Sequence, residues 1–415
     1  MSSAFSIALS ALTANSEAID VVGNNLANMN TTGYKDVDVA FESLMSQSLG
    51  LGTDTNQVGM GIGQLETPSN YSQGTLTTTN GPTDAAIQGN GFFVVNNASG
   101  QSLYTRDGSF QVNSTGQLVT ATGEKVQGWS AVNGVVTPSG PIGDLSVPLG
   151  ASVPAAATST MSLDVNLDSQ SSATTNSFSA PIQVYDSEGT SHTLTVDFTE
   201  TSAGNWNYTV TIPSADLTAG GTTKLASGTM TFDSSGNLTS PAASTDPQTI
   251  AIAGLADGAA DMSIGWNLYN SDGSSTITQY AEASGVGTTS QNGYAAGQIT
   301  DVSLQNGGMV VANYSNGQQV DVGQLAIASI PNPDSLTSVG DNDLAASAST
   351  GAISVGAANS NGRGQVVAGA LESSNVDMAT EFTKLMSYQN SYEAASRVIT
   401  TSDQLLQETV NLIHE

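Results

Sequence analysis

Between Ser3 and Asn28 the chain carries no proline and a single glycine, Gly23, and apolar side chains return every seven positions at Phe5, Leu12, Ile19 and Leu26. A seven-residue return is two helical turns, so these side chains form one stripe. A second line at Ala8, Asn15, Val22 and Met29 runs beside it, with only Asn15 polar. The far end of the chain repeats the arrangement less completely. Met378, Leu385, Tyr392, Ile399, Leu406 and Ile413 fall by sevens, while the companion line holds Phe382 and Val410 but also Gln389, Ser396 and Asp403. No Gly or Pro interrupts 376–413, and Ser374 followed by Asp377 approximates an N-terminal cap. At about 1.5 Å per residue, the two predicted helices reach about 37 Å and about 57 Å.

Between these ends the period changes to two. Leu194, Val196 and Phe198 alternate with Thr193, Thr195 and Asp197, and after a Ser-Ala-Gly-Asn turn Trp206, Tyr208, Val210 and Ile212 alternate with Asn207, Thr209 and Thr211. That pattern predicts a hairpin with one buried face. Earlier, 89–95, 102–105, 109–112, 117–121 and 125–129 read as short strands separated by Asp107-Gly108, Ser114-Thr115-Gly116 and Thr122-Gly123-Glu124 turns, a predicted meander. Turn residues cluster at 146–154 and again at 284–292, which marks a second β-domain inserted into the first.

The expected organisation is mainly β with paired long terminal helices, in a nested multi-domain arrangement. A helical domain would comprise 1–35 and 371–415, and a hinge with five glycines between Gly50 and Gly63 would occupy 36–70. The first β-domain would comprise 71–147 and 285–370, and the inserted outer β-domain 148–284. A stripe of four apolar residues does little against the entropy of ordering a whole helix. The ends are therefore expected to order on assembly with other copies rather than as a private hairpin.

Charge narrows the list of partners. The 415 residues include 36 acidic and 7 basic side chains, a formal net charge of −29, and between Val126 and Gly362 the only Lys or Arg is Lys224. Such a surface repels nucleic acid and anionic lipid. There is no cysteine, hence no disulfide, thiolate metal site or thiol nucleophile. The first basic residue is Lys35, and no run of 18 apolar residues exists, so neither a cleaved signal peptide nor a membrane-spanning helix is expected.

The chain carries none of the familiar catalytic sequence patterns. No Gly-Lys pair exists for a phosphate-binding loop, no Ser has the spacing of a nucleophile elbow, and Gly59, Gly61 and Gly63 miss the dinucleotide fingerprint. His192 and His414 are too far apart for a paired-His zinc motif, and His192 is read as an exposed residue on the polar side of its strand. Asp233-Ser-Ser-Gly-Asn237 and Asp341-Asn-Asp343 have calcium-loop composition but equally suit plain turns, the preferred reading. The expectation is a non-enzymatic chain with no cofactor and no metal.

The stretch Ala18-Ile-Asp-Val-Val-Gly-Asn-Asn-Leu-Ala-Asn-Met-Asn-Thr-Thr-Gly-Tyr-Lys35 closely resembles the N-terminal signature of flagellar rod and hook proteins. Leu371-Glu-Ser-Ser-Asn-Val-Asp-Met-Ala-Thr-Glu-Phe382, with Tyr392 and Ser396-Arg-Val-Ile-Thr-Thr-Ser-Asp403, resembles the matching C-terminal signature. Gly89-Asn-Gly-Phe-Phe-Val-Val95 with Tyr104-Thr-Arg-Asp-Gly-Ser-Phe110 is similar to the family's first β-domain, and Val184-Tyr-Asp-Ser-Glu-Gly189 with Ser191-His-Thr-Leu194 looks like its hook branch. Asn390 and Ala395 depart from the pattern, standing where Arg and Asn are common.

The resemblance implies a structural subunit of a short curved tube that transmits torque while bending. It would be exported by the flagellar type III apparatus without a cleaved signal and polymerise with itself beneath a hook cap protein, between the distal rod protein and a hook-filament junction protein. The larger apolar members of the seven-residue lines are the expected assembly residues: Phe5, Leu12, Ile19, Val22, Leu26, Met29, Met378, Phe382, Leu385, Tyr392, Ile399, Leu406, Val410 and Ile413. Other readings are a distal rod or other axial flagellar protein, an extracellular β-rich adhesin, which leaves the helices at both ends unexplained, and a secreted polysaccharide-degrading enzyme, which needs two close carboxylates in a pocket.

Overall fold

The structure is a computed structural model that describes residues 2–44, 47–48, 57–58, 61–170 and 176–413. His414 lies outside the described residues. The chain divides into two compact units, one comprising 1–149, 301–313 and 319–415, the other 150–300 and 314–318. Mainly β architecture with terminal helices packed on each other is what the alternation of periods predicted.

In the first unit, α1 (Ser2–Ala27) and α2 (Met378–Ile413) lie side by side. Asn25 near the end of α1 bonds Glu381 at the start of α2, and the α1 residues Ala8 and Ala11 face Ala394, Ala395 and Val398, so the helices run antiparallel. The cap of α2 is Asp377 itself, whose Oδ1 accepts the Thr380 N–H at 2.7 Å. The segment expected as a hinge doubles back on itself. Val37 bridges Ser69, Ala40 bridges Glu66 and Ser43 bridges Ile62. This arm lies against the helices: Ser10 Oγ accepts the Ile62 N–H at 3.3 Å, and the Phe41 and Tyr388 rings are 5.9 Å apart.

The β-body of this unit places Phe92–Asn96 between Ser102–Thr105 and Lys125–Ser130, with Gln319–Leu325 beyond the latter. The predicted meander is therefore corrected. Gln111–Val112 and Leu118–Val119 form only a small hairpin, and the next strand returns beside the first, pairing Val126 with Val95. Burying both Val95 and Val126 drives that return, whereas spacing along the chain is blind to it.

The second unit contains two five-stranded sheets. One comprises Thr160–Asp168, Gln248–Ile252, Met262–Asn267, Ile277–Tyr280 and Gly285–Gln291, the other Ser177–Tyr185, Ser191–Ser202, Asn205–Thr211, Lys224–Phe232 and Leu238–Ser240. Their alternating apolar positions share one core, in which Trp266 meets Tyr208 edge to face at 5.3 Å and Phe198 at 6.5 Å. The predicted hairpin 191–211 is present, and its buried face carries His192 beside Leu194, Val196 and Phe198. The reading of His192 as exposed is thus wrong. Period two puts 192 on the face of 194, and the ring is buried because Asp186 supplies its polar partner at 3.0 Å.

Candidate assembly interface

The two lines of α1 have different fates. Ala8, Asn15, Ala18, Val22 and Asn25 are buried, while Phe5 is 39% exposed and Leu12, Ile19, Leu26 and Met29 are half-buried. Among the described side chains of α2, only Glu381 and Ala395 are buried. Met378, Phe382, Tyr392, Leu406 and Val410 are exposed, with Leu406 at 42% and Val410 at 53%, and Leu385 and Ile399 are half-buried. The Ile413 side chain lies outside the described residues.

The fully covered seam within the chain is thus made mostly of small and polar side chains, and the large apolar ones are half-buried at its flanks or exposed. Val22 belongs to the inner seam and is already covered by its own chain. Alanines let the helix backbones approach closely; Ala395 fits that seam where a larger side chain would hold the helices apart. Large aliphatic and aromatic side chains left in solvent and repeated along two helices are what an interaction site presents. No helix among the described residues is long and apolar enough to cross a membrane.

The roots of both helices are knotted into the β-body. Glu372 is fully buried; its Oε1 accepts Lys35 Nζ at 2.5 Å and the Gly74 N–H at 2.9 Å, and its Oε2 accepts Arg106 Nη1 at 3.1 Å. Burial pushes the pKa of Lys35 and of Arg106 down, and the Glu372 carboxylate opposes that for both. Arg106 also donates to the carbonyls of Ile87 and Gly89 and lies over the Phe92 ring at 5.3 Å. Asn25 donates to the Val37 carbonyl and to Glu381 and accepts the Val37 N–H, and Asn375 Oδ1 accepts the Asp36 N–H at 2.8 Å. Outside the knot, Lys384 bonds Asp38 and Glu381 at 2.7 Å; partial burial opposes its charge, but these two carboxylates outweigh that and hold its pKa above the usual lysine value.

Gly33 is required at this knot. Its φ is +69°, its N–H donates to the Glu372 carbonyl at 2.7 Å, and a Cβ there would sit 2.6 Å from the Arg106 carbonyl carbon. The N-terminal, first β-domain and C-terminal stretches quoted for their resemblance therefore converge here through Asn25, Gly33, Lys35, Arg106 and Glu372. Sequence reading gave these residues no role. The available signal was that Lys35 and Arg106 are two of only 7 basic residues in the chain, each next to an acidic residue and neither needed for solubility.

Comparison with known proteins follows the same geography. Residues 5–35 match the family described as flagella basal body rod protein, and 367–412 match the flagellar basal body rod FlgEFG protein C-terminal family. Residues 86–168 match the flagellar hook protein FlgE/F/G D1 domain, and 152–294 the flagellar basal body protein FlaE D2 domain. The flagellar hook protein FlgE of Treponema pallidum is 32% identical, over 95% of this chain and 96% of its own length. This chain belongs to the flagellar hook protein family.

The hook protein of Salmonella typhimurium gives the same identity, 32%, over 98% of this chain and 99% of the relative, and that of Rhizobium meliloti 34% over 97% of each. A crystal structure of Helicobacter pylori hook protein FlgE2 overlaps 70% of this chain and 99% of its own at a TM-score of 0.48 and 13% identity; the family assignment rests on the full-length relatives. As a hook-family member the chain is a structural component of the flagellar hook and basal body.

Proposed function

We propose that this chain polymerises with itself into the curved tube of the hook, a universal joint that carries torque from rod to filament while bending. The observation that carries this reading is the inverted pattern of the helix pair, with alanines inside and Phe5, Phe382, Tyr392, Leu406 and Val410 outside. Neighbouring copies would cover the outer residues together with Leu12, Ile19, Leu26, Met29, Met378, Leu385 and Ile399, with Ile413 continuing the line. The polar line Gln389, Ser396 and Asp403 would face lumen or water. In the free subunit the helix pair would fray, because a seam of alanines buries little apolar area per turn.

The proposed organisation has the helical pair at 1–35 and 371–415, the arm 36–70, a first β-domain at 71–147 and 285–370, and an inserted outer domain at 148–284. The β-domains would slide against neighbouring copies as the tube turns. The subunit would leave the cell through the flagellar type III apparatus without a cleaved signal, assemble beneath a hook cap protein, and contact the distal rod protein below and a hook-filament junction protein above. It would catalyse no reaction, consistent with the absence of catalytic motifs.

Electron microscopy of a chain lacking residues 1–33 tests this reading. The truncated protein is expected to keep its β-sheet circular dichroism and form no tubes. Normal tubes from it would overturn the proposal.

A further inference from the structure

The inserted unit buries a side-chain cluster that assembly does not use. His192 is 4% exposed, on the inner face of Ser191–Ser202. Its Nε2 lies 3.0 Å from Asp186 Oδ2 and 3.6 Å from Asp257 Oδ2. On the other side of the ring, Nδ1 makes no hydrogen bond, and Asp216 Oδ2 stands 3.4 Å away.

Local structure fixes each group. Asp186 is fully buried, and its Oδ1 accepts the N–H groups of Glu188, Gly189 and Thr190 at 2.8, 2.8 and 2.9 Å, leaving Oδ2 to face the imidazole. Asp216 ends the short helical turn Ser214–Asp216, and its carbonyl accepts the Ala256 N–H at 3.0 Å, while Leu217 bridges Leu255. These contacts pin the segment that carries Asp257 against the segment that carries Asp216.

Charge is the unresolved feature. Three carboxylates surround one buried imidazole, and the whole unit contains a single Lys or Arg, Lys224. Among the described residues no Lys or Arg pairs with any of the three. Of the three carboxylates Asp186 is fully buried, while the Asp216 and Asp257 side chains are partly exposed, and the imidazole is the single group among them able to carry positive charge.

We propose that Asp186, His192 and Asp257 hold one divalent cation of the zinc class, with Asp216 orienting the imidazole from behind. Ligand bonds of about 2.0–2.2 Å in tetrahedral geometry separate donor atoms by about 3.3 Å, and the two separations from Nε2 bracket that value. A carboxylate on the second ring nitrogen is the usual companion of a metal-binding histidine, where it fixes the tautomer. The imidazole donor disfavours calcium and magnesium, which take oxygen ligands in larger number. Partial exposure of the Asp257 side chain, 26%, gives the ion an entry path from solvent. The ion would tie the 186–190 turn to the 255–258 turn in a chain that has no cysteine with which to brace itself.

The test uses the untagged full-length chain at low concentration, stripped with a chelator and titrated calorimetrically with zinc ion alone. The expected result is one equivalent per chain and a rise in the unfolding midpoint. Asp257→Asn, at a half-exposed turn, is expected to keep the β circular dichroism, bind at least tenfold more weakly and lose the rise. His414→Ala, which removes the only other imidazole, is expected to behave as wild type. No stoichiometric uptake, unchanged binding by Asp257→Asn, binding lost in His414→Ala, or calcium ion binding this cluster as tightly as zinc would each overturn the proposal.

Discussion

The helix pair and the inserted sandwich use hydrophobic residues in opposite ways. In the sandwich Trp206, Trp266, Phe198 and Met230 are fully buried and the alternate positions are polar, so the unit completes its own core. In the helix pair the buried positions among the described side chains are Ala8, Ala14, Ala18, Val22 and Ala395, joined by Asn15, Asn25 and Glu381, while Phe5, Phe382, Tyr392, Leu406 and Val410 stay exposed. A fold that hides its largest side chains has no need of neighbours for its stability. One that hides its smallest and displays its largest is waiting for a partner surface. In this chain that division separates a self-sufficient body from an assembling surface.

Mutations at the two kinds of position should differ accordingly. Trp266→Ala empties the centre of the sandwich and is expected to cost about 3–5 kcal/mol, seen as a lowered thermal transition with helical circular dichroism retained. An equal loss of helical signal would break the comparison. Glu372→Gln leaves Lys35 and Arg106 buried without a counter-charge, and about 2–3 kcal/mol is expected, concentrated at the helix roots and read as faster proteolysis between residues 28 and 40. Proteolysis unchanged from wild type would show that the knot does not hold the helices.

Protonation gives a smaller and opposite-signed contrast. Burial, with the negative charges of Glu124 and Asp341, raises the Asp343 pKa to about 7 in the first unit. The folded state then keeps a proton that the unfolded chain loses from about pH 3.8, so stability falls as pH rises through this window. In the sandwich, burial of Asp186 opposes ionisation, but bonds from His192 and the turn N–H groups outweigh it and hold the pKa at about 2. Its contribution is present above about pH 3.8 and disappears as pH falls towards 2. Asp343→Asn is therefore expected to raise the melting temperature at pH 8 by a few degrees and leave it little changed at pH 4. A melting temperature at pH 8 that is unchanged or lower would contradict this.

The smallest effect on folding belongs to the outward stripe. Leu406→Ser should change stability by no more than about 0.5 kcal/mol while reducing tube yield in electron micrographs. A large loss of stability would mean that this side chain serves the monomer.

How far the sequence can be read depends on how local the governing physics is. Both helices, the switch to period two and the hairpin at 191–211 were legible because each is set by neighbours along the chain. The return of Lys125–Ser130 beside Phe92–Asn96 was not, because it depends on Val95 meeting Val126 across 31 positions. Nor was the meeting of Lys35, Arg106 and Glu372, whose hydrogen bond and ion pairs span 337 and 266 positions. His192 was misplaced although period two alone puts it inside; its polarity argued for solvent, and the partner that allows its burial, Asp186, lies across a turn. In the helices, the seven-residue repeats identified a surface but could not assign Val22 to the inner seam and Phe5 to the outer stripe.

The central claim is that the outward stripe of α1 and α2 is covered by other copies of the chain. A cryo-electron microscopy reconstruction of tubes formed by the full-length protein tests it directly, through the solvent exposure of Phe5, Phe382, Tyr392, Leu406 and Val410. The account predicts that all five are buried against neighbouring subunits, with the alanine seam unchanged inside each chain. Tubes held together by the β-units alone, with these five side chains still facing solvent, would contradict it.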